Sequence, residues 1–176
     1  MILTRYWVMN IKDKLKVEIR DGSVSLEPNR GMASSLIWFV ATIVVTAIVW
    51  ALFYKQLGEG GRLLCIGIIV YFFIHGIRDF VFRINIRYEF NHYENAVYRD
   101  NLLFHRKQIM QLDEVVIFVN NIGNDWYYAM GIKQKQFLKN YKISPGFGRG
   151  TASQKNACEY EQQILTPIEE LIAKLV

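Results

Sequence analysis

Few side chains in this sequence stand where they could do chemistry. His75, Arg78 and Asp79 close an apolar run from Leu63 to Ile77, and the four-residue step from His75 to Asp79 puts both on one face of a helix. Ionisable groups inside lipid are functional candidates by default, because holding each one there costs free energy. A proton or ion relay is the chemistry this trio could serve. The competing reading is a cluster that marks the cytoplasmic end of a helix, solvated and paired with itself. One cluster at one membrane edge makes no transport path, so the second reading is favoured.

The other catalytic patterns fail on spacing. Gly146-Phe-Gly148-Arg-Gly150 lacks the Lys-Ser/Thr of a phosphate-binding loop and the spacing of a dinucleotide site, and reads as a surface loop. Asp113 and Glu114 are neighbours at a strand entry, so their carboxylates point to different faces. No Ser or Cys stands in a nucleophile elbow. His75, His92 and His105 show no metal-ligand spacing with Cys65, Cys158 or the carboxylates. Two cysteines are too few for a disulfide framework and read as free thiols in reducing surroundings. A non-enzymatic protein is expected, with no cofactor and no metal.

Basic residues are the more suggestive set. Lys12, Lys14, Lys16 and Arg20 would share one face of a strand. From Trp126 to Cys158 there are six basic residues (Lys133, Lys135, Lys139, Lys142, Arg149 and Lys155) and no acidic one. Near an anionic leaflet each such charge gains about 1 kcal/mol. Lys12, Lys14, Lys16, Arg20, Lys133, Lys135, Lys139 and Lys142 are therefore candidate contacts to lipid head groups or a partner, against the plainer reading of a solvated strand face. Nucleic acid is the weaker partner, since residues 83–176 carry 12 basic and 10 acidic groups, a net of only +2.

Two apolar segments must position all of this. The chain has 176 residues, 52% of them hydrophobic, with a mean hydropathy of +0.10 and a net charge of +5. Gly31 to Tyr54 contains no Asp, Glu, Lys or Arg over 24 residues, which excludes a disordered chain and argues against a freely soluble globule. A first span is expected at about 33–54, with Trp38, Trp50 and Tyr54 at its ends in the interfacial aromatic belt. Leu63–Ile77 is short alone, but Arg62 and Arg78 can snorkel outward and extend a second span to about 62–82. Small residues (Ala47 and Ala51, Thr42 and Thr46, Gly67 and Gly76) should let the two helices approach. Lys55 and Arg62 are the only basic residues in the connector, whereas six precede the first span and another six (Arg78, Arg83, Arg87, Arg99, Arg106 and Lys107) flank the end of the second. The positive-inside rule then puts both termini in the cytoplasm.

The polar remainder alternates like β-structure. Leu15, Val17 and Ile19 alternate with charged residues, Asp21-Gly22 supplies a hairpin turn, and Val24 and Leu26 return. Met1–Met9 reads as a strand or a membrane-surface segment. Further strands are expected at 83–90, 97–105, 115–120, 126–133 and 136–143, with 106–114 as a connector and 144–153 irregular. Residues 155–176 form an amphipathic helix, which Pro167 should kink or break with Thr166 as cap.

Arg87-Tyr-Glu-Phe90, Asn95-Ala-Val-Tyr-Arg99, Leu103-Phe-His-Arg106, Ile109 and Leu112-Asp-Glu-Val-Val-Ile117 together resemble small bacterial membrane proteins in which a transmembrane hairpin precedes a pleckstrin-homology-like domain. The resemblance covers about residues 84–119, and the C-terminal helix agrees in position. It implies a seven-stranded, strongly bent sheet capped by one helix, with the N-terminal hairpin supplying missing strands and the membrane hairpin inserted in the fold.

The expected class is an α+β membrane protein: a cytoplasmic β-hairpin at 1–30, a transmembrane hairpin at 31–82, and an antiparallel PH-like domain at 83–176 with a C-terminal helix. The expected role is an anchored scaffold in the bacterial inner membrane, whose sheet edge and C-terminal helix dock a protein partner or a second copy and touch anionic lipid. The alternatives are an immunity or regulatory protein that neutralises a toxin or membrane enzyme, and a small membrane enzyme or transporter subunit using His75, Arg78 and Asp79.

Overall fold

The computed structural model describes residues 10–103, 105–133 and 139–175; Met1–Met9, Lys135 and the first three residues of the expected 136–143 strand lie outside them. In chain order the elements begin with α1 (Ile11–Lys14), β1 (Glu18–Arg20) and β2 (Ser23–Leu26). Two long helices follow, α2 (Ala33–Phe53) and α3 (Glu59–Asp79). Then come β3 (Arg87–Asn91), β4 (Ala96–Asp100), β5 (Lys107–Gln111), β6 (Val115–Ile122), β7 (Asp125–Ile132) and β8 (Asn140–Lys142). The last helices are α4 (Thr151–Tyr160) and α5 (Thr166–Ala173), joined by a wide π-type turn at Glu161–Leu165. The chain is thus α+β, with two apolar helices, antiparallel sheets and a C-terminal helix. It divides into two compact units, Met1–Gly31 with Ile86–Val176, and Met32–Asn85.

In the first unit, β1 to β5 form one antiparallel sheet in sequence order, and β6, β7 and β8 form another. β2 pairs with β3 through Val24↔Phe90 and Leu26↔Tyr88. Strand neighbours in this sheet are therefore separated in sequence by the whole of α2 and α3. The Asp21-Gly22 turn forms as its chemistry requires: Gly22 has φ +73°, and a Cβ there would fall 2.2 Å from the Tyr93 ring.

One hydrophobic core joins both sheets to the C-terminal helix. It contains Leu15, Leu26, Phe90, Val97, Met130, Ile143, Tyr160, Ile164 and Ile168, all fully buried. Tyr160 anchors it: its ring stacks on Tyr128 at 5.7 Å, and its hydroxyl donates to the Ile143 carbonyl at 2.7 Å. Tyr128 in turn donates to the Glu161 carboxylate.

Several expectations are corrected. Residues 83–86 are not strand: α3 runs on into a π-type turn at Phe80–Ile84, and β3 begins only at Arg87. The supposed connector 106–114 contains β5, paired with β4 across a register shift at Val97/Tyr98. Of the expected irregular 144–153 stretch, Thr151–Ser153 is already helix, and the part before it is no loose surface loop. Phe147 is 2% exposed and bridges to Trp126 through two backbone hydrogen bonds of 2.7 and 2.9 Å. Pro167 does interrupt the last helix, because it has no N–H to give and its ring crowds the preceding turn, which widens. Thr166 makes no side-chain cap; its hydroxyl donates back to the Glu161 carbonyl at 3.0 Å.

The buried tyrosines set an alkaline limit on the fold. Burial pushes the Tyr88 phenol up from 10.0 to about 12, and burial also raises Tyr128 and Tyr160. Between pH 10.0 and about 12 the unfolded chain has released the Tyr88 proton and the folded chain still holds it. The folded state then binds more protons, so stability falls as pH rises through that window, by about 3 kcal/mol for Tyr88 alone. Phenolate absorbance should appear in two steps, the second coinciding with loss of tertiary circular dichroism above pH 10. A single step near pH 10 with the tertiary signal intact would contradict this burial.

Candidate functional site

In the second unit the less exposed residues of α2 recur as Leu36, Phe39, Ile43, Thr46 and Trp50, and those of α3 as Cys65, Ile69, Phe72, Gly76 and Asp79. Both follow the three- and four-residue step of a helix–helix seam. Phe39 and Phe72 meet across it at 5.6 Å, and a Cβ on Gly76 would lie 3.7 Å from Phe39. Thr42 and Thr46 are half-buried and satisfy their hydroxyls on Trp38 and Thr42 carbonyls. Ala47, Ala51 and Gly67 do not take the expected place: both alanines are exposed, and a Cβ on Gly67 would meet nothing within 4 Å. Outside the seam, apolar side chains such as Ile37, Trp38, Leu52, Leu63 and Phe73 are exposed along both helices. By length and composition, each helix could cross a membrane.

Arg62 turns toward the connector. Its guanidinium donates to the Tyr54 carbonyl at 2.9 Å and the Leu57 carbonyl at 3.1 Å, and lies 4.1 Å from the centre of the Tyr54 ring. It thereby satisfies the Tyr54 carbonyl just past the end of α2, and one carbonyl of the turn that follows.

The polar trio is split. Asp79 is buried and carries two cations, Arg78 at 3.7 Å and Arg83 at 3.5 Å. His75 instead packs its ring on Tyr71, centroids 4.3 Å apart. The i, i+4 spacing thus yields no His75–Asp79 hydrogen bond, and Arg83, not singled out in the sequence, supplies the partner. Its signal was another i, i+4 step, from Asp79 to Arg83, obscured by the strand-like alternation of 83–90.

In the first unit the N-terminal basic residues do not share a strand face. Lys12 and Lys14 belong to α1, Lys16 turns the chain at φ +46°, and only Arg20 lies in β1. Lys16 pairs with Glu27 at 3.5 Å and Arg20 with Glu18 at 2.9 Å. Burial raises the Glu27 carboxyl above the usual carboxylate range, although Lys16 and Arg30 both reach it. The later set fares better. The register Gly131↔Asn140 brings Lys133 and Lys139 to the same end of the β7–β8 pair, and Lys142 lies over the Tyr127 ring at 4.9 Å. Lys135 is outside the described residues.

The outer face of the first sheet is laced with charge. Arg87 bridges Glu18 at 2.9 Å and Ser25 at 2.7 Å. Arg106 reaches Glu89 at 3.0 Å and Glu94 at 3.4 Å while lying over the Tyr98 ring at 3.8 Å. These groups are largely self-satisfied and hold strand neighbours together. The apolar surface lies elsewhere. Val119 and Ile122 on β6 are 52% and 66% exposed, and β6 carries a partner strand on one side only among the described residues.

Among the described residues, no group of three or more His, Cys, Asp or Glu could hold a metal ion. Cys65 and Cys158 are both free. The chain matches no protein-family model, no curated protein and no solved structure.

Proposed function

We propose that the chain is a non-enzymatic scaffold of the bacterial inner membrane, anchored by α2 and α3, with a PH-like cytoplasmic domain that docks a protein partner or a second copy. One observation carries the reading. The strands before and after the apolar helices are hydrogen-bonded neighbours, Leu26 opposite Tyr88. Both ends of the helical pair must therefore return to one place, which two antiparallel spans satisfy and a single crossing does not. The excess of Lys and Arg outside the connector supports the cytoplasm as that place. Two antiparallel meander sheets closed by a C-terminal helix support the PH-like reading.

Docking is assigned to the edge of β6 that carries no partner strand among the described residues, with the neighbouring apolar side chains, because such a strand edge is a template for another chain. Lys133 and Lys139 suit an accompanying contact with anionic lipid. A photo-crosslinking residue at position 119 of the full chain in native membranes should capture a discrete protein adduct, and one at position 21 in the β1–β2 turn should not. Equal capture at both positions, or none at either, would remove β6 as the docking edge.

A further inference from the structure

Between the cytoplasmic halves of α2 and α3 the second unit carries an open groove of about 270 Å³. Phe39, Val40 and Ile43 line one wall, and Phe73, Gly76 and Phe80 the other. Its volume falls just under the roughly 300–1,000 Å³ of clefts for compact ligands. From Leu36 to Ile43 it rises through seven helical steps, about 10 Å, and so stays within the ~15 Å half-thickness of a bilayer's hydrocarbon core. At Phe80 the groove ends and the π-type turn begins, held by the Asn85 amide donating to the Phe80 carbonyl at 2.7 Å. Asp79, Arg78 and Arg83 cluster at that end with a net charge of +1.

We propose that the groove holds an acyl chain of an anionic phospholipid of the cytoplasmic leaflet, with Arg83 at its polar end meeting the phosphate. Depth, apolar lining and the sign of the terminal charge all match that one occupant. The proposal rests on the membrane reading above. Gly76 is what keeps the space open: its Cβ would fit beside Phe39, and a longer side chain would fill the groove.

The test is native mass spectrometry of the full chain, purified from membranes in detergent and offered equal phosphatidylglycerol and phosphatidylcholine. Wild type should retain one phosphatidylglycerol with at least ten-fold preference. Gly76→Leu should cut retained lipid at least ten-fold, and Gly67→Leu, facing open space, should leave it unchanged. Arg83→Gln should keep lipid and lose the head-group preference. Equal retention by Gly76→Leu and wild type, no head-group preference in wild type, or a lipid-free pair of chains would overturn the proposal. Carbonate washing of the starting membranes separates the two levels. A chain that washes off ends the membrane reading itself, whereas a chain that stays but retains no selected lipid ends only the groove assignment.

Discussion

Excising residues 32–85 and bridging Gly31 to Ile86 with a short Gly-Ser linker should leave a folded, freely soluble protein, all of it recovered in the cytosolic fraction. The expectation follows from β2 and β3 being hydrogen-bonded neighbours, with Leu26 opposite Tyr88. Their ends are only about 5 Å apart, and closing so short a loop costs little chain entropy. The first unit also keeps its whole core, since the buried cluster from Ile11 to Leu171 contains no residue of α2 or α3. Circular dichroism and gel filtration of the shortened protein check this. An unfolded or insoluble product would show that the sheet depends on the helices inserted between its strands in sequence.

Tyr160→Ala should be the most damaging single substitution in the first unit. The side chain is 0% exposed and packs against Tyr128 at 5.7 Å and Phe147 at 5.9 Å. Removing a buried aromatic side chain costs about 3–5 kcal/mol, a large fraction of a typical domain's roughly 5–15 kcal/mol. Tyr160→Phe separates the contributions: it keeps the ring but leaves the Ile143 carbonyl without its 2.7 Å donor, at about 1–3 kcal/mol. Chemical denaturation of the full chain in detergent, followed by tertiary circular dichroism, should rank wild type above Tyr160→Phe and that above Tyr160→Ala. Equal midpoints for wild type and Tyr160→Ala would mean that the helix does not close the core.

The elements readable in the sequence are those whose signal is local. The uncharged stretch from Gly31 to Tyr54 and the Asp21-Gly22 turn each announce themselves through neighbouring residues; the first forms a long apolar helix and the second a hairpin turn. β5 did not announce itself, because only Met110 of its five residues is buried and a register shift breaks the alternation beside it. Residues 83–86 misled for the opposite reason: Ile84 and Ile86 are buried two apart, which imitates a strand although Ile84 ends a widened helical turn. Phe147 sits among glycines in a stretch that reads as loop, and only the tertiary bridge to Trp126 buries it. The candidate site was legible in the same uneven way. His75 and Asp79 have the right spacing, but their partners are decided by which way each side chain leaves the helix: Tyr71 for one, Arg78 and Arg83 for the other. Of the basic candidates, the N-terminal set depended on a strand that is largely a turn of helix. Lys133 and Lys139 come together through a register that no local pattern encodes.

In the proposed scaffold, α2 and α3 cross the bilayer as an antiparallel pair. Reporters active only inside or only outside the cytoplasm, fused in turn to the N-terminus, to the connector at Gln56 and to the C-terminus, measure this directly. Both termini should report the cytoplasm and the connector the opposite side; termini on different sides, or a connector that reports the cytoplasm, would contradict it.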